Sequence, residues 1–162
     1  MQEVNAHLIK HFYTSFKHGD FLAMQECYHS DIEFSDPVFP YLQNNEAKAM
    51  WHMLVESGVD SGLQISFDDI QVFKDSGECT WEAQYRFSLS GRNVHNVIRA
   101  KFWFRGGLIV KHQDNFDFWK WSRMAFGVKG LILGWTPFFK KKVQEGIALR
   151  LAKFIDRHPE YA

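Results

Sequence analysis

Several things are scarce in this sequence, and each scarcity excludes something. There are only two cysteines, Cys27 and Cys79, in 162 residues. They show no metal-binding spacing, so both are read as reduced and buried, which fits a cytoplasmic location. No apolar run approaches the roughly 20 residues that cross a bilayer. The nearest, GLILGW at 130–135, is far too short. The opening residues, MQEVNAHLIKHFYTSF, lack the basic start and apolar stretch of a secretion signal. Neither sign of charge dominates: 19 basic residues balance 19 acidic ones. That balance gives no reason to expect a nucleic-acid partner. There is no internal repeat, low-complexity stretch or interdomain linker, and the length suits one domain with one sizeable core.

Aromatic residues are abundant, at 17% with 16 Phe and 6 Trp. Aromatics build large cores, and they also line ligand cavities. Their spacing, with that of the other apolar residues, defines the elements. Val4, Leu8, Ile9, Phe12 and Phe16 recur at helical intervals over residues 2–17. His18-Gly19-Asp20 ends that helix and caps a short one over 21–28. IEFSD then alternates as a strand and stops at Pro37. Asn44 or Asn45 is expected to cap a helix through about residue 57, with Ala47, Met50, Trp51 and Leu54 on one face. Strands follow at 63–74, 78–90, 93–105 and 108–118, joined at Asp75-Ser76-Gly77, Gly91-Arg92 and Gly106-Gly107. Helical spacing returns after Phe118 and ends in an amphipathic helix over about 138–156. The fold class is therefore α+β: a curved antiparallel sheet with N-terminal helices forming a pocket, plus a helical C-terminal extension. The expected organisation is one domain, with its core at about 2–118 and the extension at about 119–162.

Asp36, in the stretch YHSDIEFSDPVFPY, is the first candidate for chemistry. A following proline holds its backbone extended and fixes the direction of the carboxylate. An ordinary Asp-Pro turn explains that much. Phe34, Val38 and Phe39 around it support a second reading, a poorly hydrated carboxylate suited to general-base work. A two-residue hairpin at Gly106-Gly107 would set Arg99 opposite Asp114 and Lys101 opposite His112, all on one face. That face could be a solvated surface or the lining of a pocket. Trp103 and Val110, and Val97 with Phe116, sit among these charges and favour a pocket. His112 and Asp114 form an HxD without an evident third ligand, so no metal is expected. The segment LILGWTPFFKKK reads either as a solvated helix face or as a membrane-surface or partner contact.

The segment KHGDFLAMQECYHSDIEFSDPVF resembles the opening of the nuclear transport factor 2-like superfamily. The resemblance is carried by a Gly-Asp helix break, Tyr-x-x-Asp, and an Asp-Pro after the first strand. That superfamily includes ketosteroid isomerases, SnoaL-type polyketide cyclases and limonene epoxide hydrolases. The resemblance implies a cone-shaped fold with a deep pocket, commonly a homodimer, and no cofactor. It aligns Asp36 with the general base of the isomerases. Their oxyanion tyrosine falls on Phe12, with Tyr13 about 100° away round the helix, and their protonated aspartate falls near Arg99. The epoxide hydrolases' Asp-Arg-Asp group is incomplete, because Arg99 and Lys101 stand where that group has Arg and Asp. The expected function is a small-molecule enzyme acting on a hydrophobic substrate through Asp36, Arg99 and Asp114. His112, Lys101, Tyr13, Phe12, Trp51 and Phe116 would surround the substrate. A non-catalytic binding or dimerisation module is the alternative.

Overall fold

The computed structural model describes all residues, 1–162. The chain forms α1 (Gln2–Lys17), α2 (Phe21–Glu26), β1 (Tyr28–Ser35), β2 (Leu42–Gln43), α3 (Asn45–Ser61), β3 (Gln64–Val72), β4 (Ser76–Arg86), β5 (Asn93–Arg105), β6 (Leu108–Asn115), α4 (Phe118–Phe126), α5 (Val128–Leu133) and α6 (Pro137–Asp156). A single turn of 3-10 helix, Pro159–Tyr161, ends the chain.

The breaks have local causes. Gly19 takes a φ of +72°, and the Asp20 carboxylate accepts a hydrogen bond from Ala23 N at 3.0 Å, stopping α1 and starting α2. Asp117 caps α4 through Lys120 N, and Thr136 caps α6 through Phe139 N. Asn44 occupies the N-cap position of α3 without its side chain capping the helix.

The six strands form one curved sheet in the order β2-β1-β6-β5-β4-β3. All neighbours are antiparallel except β1 and β6, which run parallel. The inner face of the sheet carries Trp81, Ala83, Ile98, Ala100, Phe102 and Ile109, which pack on Ile9, Phe12, Phe16, Met50 and Trp51 from α1 and α3. Each large side chain buried there contributes roughly 1.5–3 kcal/mol. A second cluster joins Val94 to Phe118, Trp121 and Ala125 of α4 and Phe139 of α6. The helices after the sheet thus cover one end of its concave side. No helix is long and apolar enough to cross a membrane.

Candidate active site

Two features of strand pairing build the site. In the parallel β1–β6 pair, Phe34 aligns with His112 and Ser35 with Gln113. The next step brings Asp36 beside Asp114. Because side chains alternate along a strand, both acids follow buried Phe34 and His112 onto the inner face. The second feature is a bulge. Trp103 pairs with Lys111 but Phe104 pairs with Ile109, so Val110 is an extra residue in β6. Beyond it Arg99 pairs with Asn115, and Asp114 with Ala100.

That single residue corrects the expected constellation. Arg99 and Lys101 point to the outer face and are exposed, whereas His112 and Asp114 point inward and are buried. Lys101 pairs with Glu78 at 3.4 Å across β4 and does not meet His112. Trp103, expected among the pocket charges, lies on the outer side with the Lys111 ammonium 5.0 Å over its ring. The guanidinium of Arg99 therefore has no place in the site. Replacing Arg99 with Ala should change stability by less than about 0.5 kcal/mol and leave ligand binding intact, as chemical denaturation and titration would show.

Asp36 and Asp114 open onto a cavity of about 210 Å³. It exceeds the roughly 150 Å³ that accommodates benzene in a protein core. Its walls are mainly apolar, with Phe16, Leu54, Ile98, Phe116, Trp121 and Ile147 prominent. The Asp36 Oδ1 accepts from Val38 N at 2.7 Å and Phe39 N at 2.6 Å. The Pro37 turn holds both N–H groups against it. Its Oδ2 has no partner in the protein and is not sealed off, so it faces the cavity. Burial pushes the Asp36 carboxyl up to about 7, against the pull of the two N–H groups; the nearby charge of Asp114 adds to the rise.

Asp114 is positioned from behind by a buried chain of hydrogen bonds. Its Oδ1 accepts from Trp81 Nε1 at 3.3 Å and meets His112 Nε2 at 2.9 Å. The other imidazole nitrogen, Nδ1, lies 2.7 Å from the Tyr28 hydroxyl, which accepts from Trp51 Nε1 at 2.7 Å. An indole N–H can only donate. The Tyr28 proton then has His112 Nδ1 as its acceptor, so Nε2 carries the hydrogen that is donated to Asp114. Every buried donor in the chain is satisfied this way.

The expected substrate contacts divide accordingly. Phe116 lines the cavity, while Phe12, Tyr13, Trp51 and His112 form a sealed layer behind Asp114. The Tyr13 hydroxyl stands 3.5 Å from His112 Nε2, at the outer limit of a hydrogen bond. Phe12 stacks on Tyr28, so the position matched to the isomerases' tyrosine is filled by packing.

Asn96 and Tyr85 are among the cavity residues that escaped sequence reasoning. Asn96 is buried, yet its carboxamide makes no hydrogen bond in the protein and faces the cavity. Tyr85 accepts from Trp121 Nε1 at 2.9 Å, which leaves its own O–H free to donate into the cavity. Burial raises its pKa, the Trp121 bond opposes the rise, and the Asp36 charge adds to it. For a metal, His52, His158 and Glu160 bring potential ligand atoms within 4.8 Å of one another, but none lines the cavity. His52 stacks on Phe21 and His158 on Phe154, so packing accounts for both rings.

This geometry can be set beside known proteins. The family profile described as SnoaL-like domain matches residues 9–112, well over half of the chain. The chain belongs to the SnoaL-like family. The match spans Asp36, His112 and the sheet except the end of β6, and stops short of Asp114 and the last three helices. Among solved structures, TsrD from Streptomyces laurentii superposes on this SnoaL-like chain with a TM-score of 0.64 at 18% identity, covering 79% of this chain and 98% of its own. An NTF2-like protein of unknown function from Burkholderia pseudomallei K96243 gives 0.64 at 12% identity, covering 76% and 98%. An LEH-like epoxide hydrolase from M. tuberculosis gives 0.60 at 14% identity, covering 82% and 92%. At such identities the likeness is one of fold. A search of curated proteins finds no significant match to this SnoaL-like sequence.

Proposed function

We propose that this SnoaL-like protein is a proton-transfer enzyme for a small hydrophobic molecule, with Asp36 as general base. One observation carries the reading: a carboxylate with a free oxygen, raised to about 7, faces a mainly apolar cavity. A base with a pKa near the working pH balances availability against strength. Asp36 Oδ2 removes a proton from a carbon beside a carbonyl. The Tyr85 O–H and the Asn96 carboxamide donate hydrogen bonds to the carbonyl oxygen as it gains charge. Asp36, now protonated, returns the proton elsewhere on the same substrate or to water. Asp114 Oδ2, which has no partner in the protein and is not sealed off, is offered to a substrate hydroxyl, while His112, Tyr28 and Trp81 keep the carboxylate in place.

A second reading rests on that Asp114 oxygen. Two neighbouring carboxylates, each with one free oxygen, suit a water molecule activated for attack on an epoxide or ester. The fold-level likeness to an epoxide hydrolase is compatible with it. A panel of cyclic ketones, epoxides and polyketide-like aromatics tests both, followed by turnover and by ligand-induced stabilisation. Deuterium exchange from solvent into carbon marks the first reading, and oxygen-18 from water in the product marks the second. Under the first, Tyr85→Phe should lower kcat by roughly a hundredfold with KM little changed. An unchanged kcat removes Tyr85 from the mechanism.

A further inference from the structure

Helix α5 is built the wrong way round for a helix that serves only the fold. An ordinary surface helix turns its large apolar side chains inward. In α5 and the turn after it, the buried positions are Gly130 and Gly134. The large residues lie outside: Val128 is 70% exposed, Ile132 61%, Trp135 68% and Phe138 73%, with Leu131 and Leu133 also exposed. The glycines are required by contact. A Cβ on Gly130 would fall 1.9 Å from Ser122 O, and one on Gly134 would fall 2.7 Å from the Ser122 side chain. The backbone of α5 is thus pressed onto α4, and its apolar side chains have no core left to enter.

Charge along this segment is of one sign only. From Phe118 to Gln144 the chain has six basic residues, Lys120, Arg123, Lys129, Lys140, Lys141 and Lys142, and no acidic one, although the whole sequence is balanced at 19 of each. None of the six forms an ion pair. They sit among the apolar groups: Arg123 lies 4.5 Å over the Trp119 ring and Lys142 lies 5.6 Å from that of Phe138. Trp119 in turn bonds to Leu131 O at 3.2 Å, joining α4 to the patch. Exposed aliphatic and Trp side chains rimmed by unpaired lysines match the boundary between acyl chains and anionic headgroups.

We propose that α5 and the first turn of α6 dock this protein on an anionic lipid bilayer, with Leu131, Ile132, Trp135 and Phe138 entering the interface and Lys129, Lys141 and Lys142 meeting the headgroups. The protein lies on the membrane and does not cross it. The α6 side chain Ile147 also lines the cavity, so the docked surface and the cavity share that helix.

The test is sedimentation with vesicles of phosphatidylcholine alone and of phosphatidylcholine with phosphatidylglycerol, at low and high salt. The full-length protein should bind the phosphatidylglycerol vesicles, more weakly at high salt. The combined change Lys129→Gln, Lys141→Gln and Lys142→Gln should weaken that binding at least about tenfold. The combined change Ile132→Ser, Trp135→Ser and Phe138→Ser should abolish it, with thermal unfolding unchanged because these side chains are exposed. No binding to either vesicle overturns the proposal, as does binding that neither variant weakens. A wild-type dimer that the serine variant converts to monomer also overturns it, and would assign the surface to a second copy of the chain. Asp36→Asn should bind vesicles normally, which separates this proposal from the catalytic one.

Discussion

Replacing Asp36 with Asn should leave a folded protein that still takes up hydrophobic ligands but turns them over about 10²–10⁴-fold more slowly. The carboxamide oxygen can accept the hydrogen bonds from Val38 N and Phe39 N that the carboxylate accepts now, so the Pro37 turn survives. What disappears is the group able to take a proton. For the wild type, kcat/KM should rise with pH through an apparent pKa of about 7. The same change should raise stability in alkaline solution. The Asp36 carboxyl has a reference value of 3.8 and stands at about 7 in the fold. Between those values the folded state keeps a proton that the unfolded chain has released, so the free energy of unfolding falls as pH rises. Above about 7 the whole penalty applies, on the order of 2–4 kcal/mol for a group open to a cavity on one side. Asn carries no charge and escapes it. Denaturant titrations across that range should show the variant ahead at pH 8, with its advantage shrinking toward acid. A difference between the two proteins that does not vary with pH would contradict the raised carboxyl.

The second large effect should come from Tyr28→Phe, far from any substrate. It removes one oxygen and leaves two buried groups, Trp51 Nε1 and His112 Nδ1, without their partner. Each unpaired buried group costs about 1–3 kcal/mol, so a loss on the order of 2–5 kcal/mol is expected in urea unfolding. The variant should also disturb the site. Without the Tyr28 proton, His112 loses the reason to keep its hydrogen on Nε2, and Asp114 loses a fixed donor. Nitrogen-15 NMR of the imidazole reads the tautomer directly. A wild-type ring already protonated on Nδ1 alone would refute the chain of donors, whatever the stability result.

The fold was largely legible because its elements follow periodicity. The strand at 93–105 and the last helix were read nearly to the residue, since alternating and helical spacings are local properties. The constellation of charges was not legible, because face assignment depends on register. The pairing number assumed at Gly106-Gly107 holds next to the turn and fails past Val110, where the bulge moves Arg99 to the other side from Asp114. Nothing in KHQDN announces that bulge. The β4–β5 connection was also misread as a tight turn: six residues, 87–92, separate the strands. The faces survived because the resulting slip was an even number of positions.

The neighbours of Asp36 were hidden for another reason. Asp114 reaches it through a parallel pairing between strands far apart in sequence. Tyr85 lies in the apolar alternation of β4 with Trp81 and Ala83. Its free hydroxyl proton is evident only once Trp121, on a helix after the sheet, supplies the other hydrogen bond. Asn96 lay unremarked between Val94 and Ile98, and an amide of a buried residue that opens onto a cavity is recognisable only once the cavity is seen.

The central claim is that the Asp36 carboxyl looks into an apolar hollow and changes charge near neutrality. Carbon-13 NMR of the aspartate side-chain carboxyls, with Asp36→Asn to assign the signal, measures that property without needing a substrate. The account predicts a midpoint at about 7 that moves when a hydrophobic ligand fills the cavity. A midpoint near the reference value of 3.8, unmoved by any ligand, would mean that Asp36 is a hydrated turn residue and that the proposed base does not exist.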